Sequence, residues 1–358
     1  MSAGETKRVY RGIMFTVALV GGIALLVLLR DIVLMAFLGA TMAVFYTWLA
    51  RMLRRVIPRL GHGVALAIVL VVLAAVFVGL AALLAHPLVK ELNDLAESLP
   101  GYVEAFQERF EEWTEAHLEP GEGIDLSALA GELFKSTGRI VGFVFGALSA
   151  TGRVLLNVFV VLSLSVFFSI KPSQYSGLLL RHVAEAHREQ AQRALDTLAA
   201  KLRGWLGGTL FSAAFIAVFA TVGLLLIGVK YAFVFGIMGG LLAFIPYFGS
   251  IIAVVPPALV ALLDPNPLKA LWVVLLFVGV QTIEANVFTP MVMQRRVSLP
   301  PAVVVLAVLV MGALLGFLGA ILALPLTLAV QILLDEFVLS KRRDTATSGP
   351  AAAPAAKA

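Results

Sequence analysis

Long apolar stretches constrain the fold of this chain more than any other feature. Eight of them follow one another, at residues 13–29, 32–50, 64–85, 154–170, 205–229, 231–263, 268–290 and 300–334. A helix of about 20 apolar residues crosses a bilayer core about 30 Å thick. The composition agrees, because 60% of the residues are hydrophobic and 14% are charged, whereas soluble domains carry about 25% charged residues. We therefore predict an all-α polytopic membrane protein with eight hydrophobic segments.

Several classes of function lack their residues. The chain has no cysteine, which excludes thiolate metal sites and cysteine nucleophiles, and its five histidines are not spaced as metal ligands. Neither a phosphate-binding Gly-Lys-Ser/Thr loop nor a nucleophile elbow is present. We therefore expect no cofactor, no metal site and no enzymatic activity. The net charge of +5 reflects orientation in the membrane, so we expect lipid and not nucleic acid as the partner of the basic residues.

The distribution of charge predicts the topology, because loops rich in Lys and Arg face the cytoplasm. This rule places both termini inside and predicts five regions. They are a three-span region at 1–86, an external acidic helical subdomain at 87–152, a fourth span with a basic cytoplasmic connector at 153–204, a transport core at 205–340 and a disordered tail at 341–358. The first apolar stretch lacks a cleavage motif, so we interpret it as a retained span. The acids at 87–152 are interpreted as a solvated face, with a cation-attracting vestibule as the alternative.

The sixth and eighth segments, 231–263 and 300–334, are too long for one span and too short for two. Helix-breaking residues interrupt both: Pro246, Pro256 and Pro257 in the first, and Gly312, Gly316, Gly319 and Pro325 in the second. If both are re-entrant hairpins, every basic cluster lies in the cytoplasm. The C-terminal half then contains two inverted helix-plus-hairpin units, an arrangement found in secondary transporters. Single tilted or kinked helices are the alternative.

A distinctive series of motifs runs through these segments. The series comprises Phe244-Ile245-Pro246-Tyr247-Phe248-Gly249 with Pro256, Gln281-Thr282-Ile283-Glu284-Ala285-Asn286 with Pro290, Leu299-Pro300, and Gly312-(x)3-Gly316-(x)2-Gly319 with Pro325. It resembles the autoinducer-2 exporter family over nearly the whole chain. The resemblance implies a bacterial inner-membrane transporter that exports a small furanone-type signal or exchanges sodium (or lithium) for protons. A homo-oligomer is expected, and a non-transporting scaffold or accessory protein is the alternative from another class.

Glu284 is the sharpest candidate for a binding residue. A carboxylate inside a span costs about 2.5–3.5 kcal/mol on insertion scales and is usually retained for a pathway, a relay or a partner. Gln281 precedes it by three positions and shares its helix face, whereas Asn286 projects elsewhere and is expected to hold a neighbouring hairpin. An apolar setting favours the protonated carboxyl, so Glu284 is a candidate proton carrier. The alternative is a structural role in capping a broken helix.

The two hairpin tips supply the other candidates. Pro246, Gly249 and Ser250 lie at the first tip, and Gly312, Gly316 and Gly319 lie at the second. Broken helices leave backbone amides and carbonyls that can bind a substrate or an ion. The alternative is close helix packing, since small residues three or four positions apart let membrane helices approach each other.

Overall fold

The structure is a computed structural model that describes residues 14, 28–117, 152–288 and 300–339, and all regular structure in these ranges is helical. We number its α-helices in chain order: α1 Arg30–Val56, α2 His62–His117, α3 Gly152–Ile170, α4 Pro172–Arg181, α5 Arg188–Ile227, α6 Ala232–Leu242, α7 Phe248–Leu262, α8 Leu268–Ile283 and α9 Pro301–Leu334. A 3₁₀ turn at Glu185–His187 precedes α5, and π-helical turns at Glu284–Phe288 and Asp335–Leu339 follow α8 and α9. The helical class predicted from the sequence is confirmed.

Five helical stretches of the described chain are long and apolar enough to cross a membrane, and a bent pair makes a sixth if its two helices form one span. The pair is formed by α3 and α4, which meet at 87°. Pro172 begins α4 and cannot continue the hydrogen bonding of α3, which explains the bend. The eight-segment count is not reproduced here: α6 and α7 have 11 and 15 residues, and the predicted first segment lies, except for Met14, Leu28 and Leu29, outside the described residues.

Helix α6 lies at the centre of the largest apolar cluster. Phe235 and Met238 are almost completely buried, and side chains from α2, α5, α7 and α8 surround them. Leu92 and Leu95 of α2 belong to this cluster. Apolar side chains on the outer faces of the long helices stay exposed, as lipid-facing surfaces do.

Helix α2 runs unbroken for 56 residues and passes through Pro87. Residues in its second half form hydrogen bonds to the start of α6 and the end of α7. Glu91 Oε2 accepts hydrogen bonds from the backbone amides of Phe233 and Val234, both at 3.1 Å. These are orphan donors at the start of α6, so an acid from another helix caps it. The interpretation of the acids at 87–152 as a solvated face is therefore wrong for Glu91.

Further contacts fix the same end. Tyr231, which precedes α6, donates a hydrogen bond to Ser98 at 3.1 Å, and Arg109 donates one to the carbonyl of Leu262 at 2.7 Å. The Lys269 ammonium lies 2.9 Å from the Asp264 carboxylate and holds the pKa of that carboxyl below its usual range. The start of α6 and the end of α7 are thus joined to the second half of α2 by hydrogen bonds.

The two long segments are interrupted differently. Residues 243–247 separate α6 from α7, and Tyr247 has a φ of 65°. In α9 the interruption is one residue, Gly316, with φ 69° and ψ −154°. A Cβ on Gly312 would lie 3.6 Å from the Ala320 Cβ, whereas eight residues of straight helix span about 12 Å. The chain therefore folds back on itself at Gly316.

Three of the four prolines expected to interrupt these segments do not do so. Pro256 and Pro257 lie inside α7, and Pro325 lies inside α9. All three are buried, so packing against neighbouring helices maintains the helical path even though each proline removes one backbone donor. The expectation was wrong for these three residues, because only Gly316 and the Pro246 turn break the helices.

Candidate functional site

A cavity of about 670 Å³ lies where α5, the turn between α6 and α7, α8 and α9 converge. Most of its wall is apolar, with Trp205, Phe244 and Phe277 among the larger side chains. Its polar side chains come from three places in the chain: Thr209 and Ser212 on α5, Tyr247 and Ser250 beside the α6–α7 turn, and Gln281 and Glu284 at the end of α8. An apolar pocket with a few convergent polar groups is the usual form of a small-molecule site.

Glu284 is held by side chains from two helices. The Ser212 hydroxyl donates a hydrogen bond to Oε1 at 2.7 Å, and the Gln281 amide donates to Oε2 at 3.3 Å. The Gln281 contact confirms that these two residues share a helix face. Donors on both oxygens fix the direction of the carboxyl group inside an apolar region.

The backbone changes its hydrogen-bonding pattern at the same residue. Helix α8 ends at Ile283, and the π-helical turn begins with Glu284. Wider turns of this kind occur frequently at functional sites, because they rotate the following side chains and loosen the backbone hydrogen bonds. The acid therefore marks the point where the helix ceases to be regular.

Sequence reasoning missed Thr209 and Ser212. Together with Trp205 and Ile216 they line the cavity at positions separated by four, three and four residues, which is one face of a helix. Two hydroxyl residues recurring at helical spacing in an apolar run were the signal that could have revealed this face. The contact between Ser212 and Glu284 had no signal in the sequence, because it depends on how two distant helices pack.

Of the three residues predicted at the first hairpin tip, two line the cavity and one does not. Pro246 and Ser250 line the cavity, and the Ser250 hydroxyl donates a hydrogen bond to the Tyr247 carbonyl at 3.2 Å. Gly249 is buried and does not line it. A Cβ on Gly249 would collide with the Leu242 carbonyl, so the residue permits the close turn between α6 and α7.

The second predicted tip does not reach the cavity wall. Gly312, Gly316 and Gly319 are absent from its lining, to which α9 contributes Val304 and Leu324 instead. A Cβ on Gly319 would collide with the Met311 carbonyl, so this glycine lets the two parts of α9 approach each other. These glycines shape the helix that closes the cavity.

Asn286 is exposed and does not line the cavity either. Its side-chain amide donates a hydrogen bond to the Thr282 carbonyl at 2.9 Å, within its own helix. That Asn286 also holds a neighbouring hairpin stays a prediction. The local hydrogen bond satisfies the polar group where the helix geometry changes.

The convergent groups suit hydrogen bonding or the binding of a hard cation. Carboxylate, amide and hydroxyl oxygens are ligands that bind such ions, and the same groups bind polar solutes. Among the described residues, no group of three or more His, Cys, Asp and Glu side chains is placed to hold a metal ion. The cavity therefore offers hydrogen-bonding groups and oxygen ligands to a polar solute or a cation.

Comparisons with known proteins point to transport. A family model described as the AI-2E family transporter matches residues 13–339. The AI-2 transport protein TqsA of Escherichia coli is 26% identical over 250 residues, which are 68% of this chain and 70% of TqsA. YueF of Bacillus subtilis, provisionally named a transport protein, is 25% identical over 293 residues, which are 78% of this chain and 77% of YueF.

Proposed function

The chain belongs to the AI-2E family of transporters, and from this premise we propose that it is a secondary transporter whose solute binds in the cavity beside Glu284. One observation carries the proposal. A carboxylate that is expensive to keep inside a membrane span is oriented by Ser212 and Gln281 towards a cavity of about 670 Å³. A purely structural acid has no need of that space.

The proposed mechanism is alternating access. The cavity lies between two interrupted helical segments, with the α6–α7 turn on one side and the folded α9 on another. We propose that both segments are re-entrant hairpins that enter from opposite sides and form an inverted repeat with α5 and α8. Motion of one unit against the other would then open the cavity to each side in turn. The basic clusters support cytoplasmic termini in a bacterial inner membrane.

The first candidate substrate is a small polar organic molecule such as the autoinducer-2 signal, which is exported. The name of TqsA supports this class of substrate. The cavity also suits it, because Ser212, Gln281 and Glu284 can exchange hydrogen bonds with a polar solute while the aromatic wall excludes water.

The second candidate is exchange of sodium or lithium for protons. The contact between Ser212 and Glu284 favours it, because a carboxylate beside a hydroxyl provides oxygen ligands for a hard cation. A carboxylate that alternately binds a cation and a proton couples the two fluxes without further machinery.

Reconstitution of the full-length protein into liposomes tests both candidates. One assay follows uptake of labelled furanone signal, and the other follows dissipation of a pH gradient on addition of Na⁺, Li⁺ or K⁺. Protein-free liposomes of the same lipid provide the baseline. Signal uptake above this baseline supports the exporter, and cation-selective dissipation supports the antiporter. Baseline rates in both assays contradict the proposed transport of these substrates.

A further inference from the structure

A second cavity, of about 660 Å³, lies between the end of α1 and α5. Three arginines line it: Arg51 and Arg55 near the end of α1, and Arg203 on α5. Among the described residues that line it, none is acidic. The Thr47 carbonyl accepts a hydrogen bond from Arg51 Nε at 3.2 Å, which orients that guanidinium at the cavity. The cavity therefore concentrates positive charge contributed by two helices.

The rest of the wall is aromatic and apolar. Phe45 and Trp48 lie with their ring centroids 5.6 Å apart, and Met52, Phe211 and Ala200 complete the apolar part of the lining. Met52 is 46% exposed and Phe211 is 47% exposed. Gly204, Gly207 and Gly208 face the cavity without side chains, which leaves room for a ligand between the helices. A charged pocket thus adjoins exposed apolar surface.

The position of the cavity determines which anion it fits. Arg51 and Arg55 follow the apolar run of α1, and Arg203 precedes that of α5, at the side that the basic residues predict to be cytoplasmic. Tryptophan is enriched at the level of lipid headgroups, and basic pockets between membrane helices bind anionic headgroups. Guanidinium groups also match phosphate geometry. A soluble anion would contact the arginines but not the apolar rim formed by the exposed side chains of Met52 and Phe211.

We propose that this cavity binds the headgroup of an anionic phospholipid, with its acyl chains lying against Met52 and Phe211. The site is separate from the cavity beside Glu284, so the proposal does not depend on the transported solute. Bound lipid would bridge α1 and α5, the helix that carries Ser212.

Native mass spectrometry of the full-length protein in a neutral detergent measures this binding, with phosphatidylglycerol as the probe and phosphatidylcholine as the comparison lipid. Each guanidinium removed by Arg51→Gln, Arg55→Gln or Arg203→Gln should weaken phosphatidylglycerol binding about fivefold. Arg59→Gln is the matched control, since Arg59 lies in the adjoining loop and does not line the cavity. It should change binding less than twofold.

A triple Arg→Lys variant keeps the charge and separates binding from folding. It should retain more binding than the triple Arg→Gln variant, and both should elute like the wild type on size exclusion. Equal binding of the two lipids, or equal losses for Arg55→Gln and Arg59→Gln, would overturn the proposal. Displacement of the lipid by an equal concentration of glycerol 3-phosphate would also overturn it, because the apolar rim would then contribute nothing.

Discussion

The Ser212 hydroxyl on α5 donates a hydrogen bond of 2.7 Å to the Glu284 carboxylate, 72 positions later in the chain. This contact joins two membrane helices through a polar pair at the wall of the cavity. Gln281 donates to the other carboxylate oxygen. Ser212 and Gln281 therefore orient the acid. A neutral solute or a cation can replace these two groups at the carboxylate or bind beside them.

Ser212→Ala should reduce transport without unfolding the protein. Loss of a hydrogen bond to a charged group costs about 1.5–3 kcal/mol, which corresponds to a roughly tenfold or larger loss of flux where the contact orients the carboxylate during transport. Flux into proteoliposomes measures the effect. Ser176→Ala is the control, because the Ser176 hydroxyl is exposed and donates to Ser173 in its own helix. Equal flux in both variants would exclude a role for the Ser212 contact.

Glu91→Ala should destabilise the core. The substitution leaves the amides of Phe233 and Val234 without their carboxylate acceptor, and a lost cap of this kind costs about 0.5–2 kcal/mol. Thermal unfolding in detergent should show a lower midpoint for this variant. Glu97→Ala removes an exposed acid from the same helix and should leave the midpoint unchanged. A midpoint unaffected by Glu91→Ala would show that the cap contributes nothing to stability.

Gly316→Ala should destabilise the protein through its backbone alone. At φ 69° and ψ −154° the conformation belongs to a region used almost only by glycine, and strain of this kind costs about 1–3 kcal/mol. No atom within 4 Å would obstruct the new methyl group. Gly279→Ala adds the same methyl group in open space inside α8, where alanine favours the helix. Of these two variants, only Gly316→Ala should lower the midpoint of thermal unfolding in detergent.

Local chemistry made much of this fold predictable. The Pro246 turn, the bend at Gly316 and the bend at Pro172 each depend on residues adjacent in sequence, and Gln281 lies on the face of Glu284 because helical spacing requires it. The helix breaks expected at Pro256, Pro257 and Pro325 did not occur, because packing against other helices overrides local propensity there.

The remaining site residues depend on how distant segments pack. Ser212 becomes a partner of Glu284 only when α5 and α8 adopt their register, which no local pattern specifies. Glu91 was grouped with solvated acids, yet it lies between Leu88 and Leu95 at helical spacing, on the edge of the buried stripe. An acid on the edge of an apolar stripe was therefore a signal that could have been used.

Labelling of single cysteines tests the two re-entrant hairpins directly, since the natural chain has no cysteine. Ser250→Cys places a thiol beside the first turn, and Leu314→Cys places one beside Gly316 at a side chain that is 63% exposed. These positions avoid the backbone constraints of Gly249 and Gly316. In oriented vesicles, membrane-impermeant maleimide should reach the two thiols from opposite sides. Labelling of both from one side only would contradict the inverted repeat.

The central claim is that transport passes through the cavity beside Glu284. Glu284→Gln keeps the size of the side chain and removes its charge, while Glu97→Gln makes the same change at an exposed position on α2. Both variants should insert and purify like the wild type. Flux into proteoliposomes, measured as signal uptake and as cation-driven dissipation of a pH gradient, should fall to the protein-free baseline for Glu284→Gln and remain at the wild-type rate for Glu97→Gln. Wild-type flux in the Glu284→Gln variant would contradict the account.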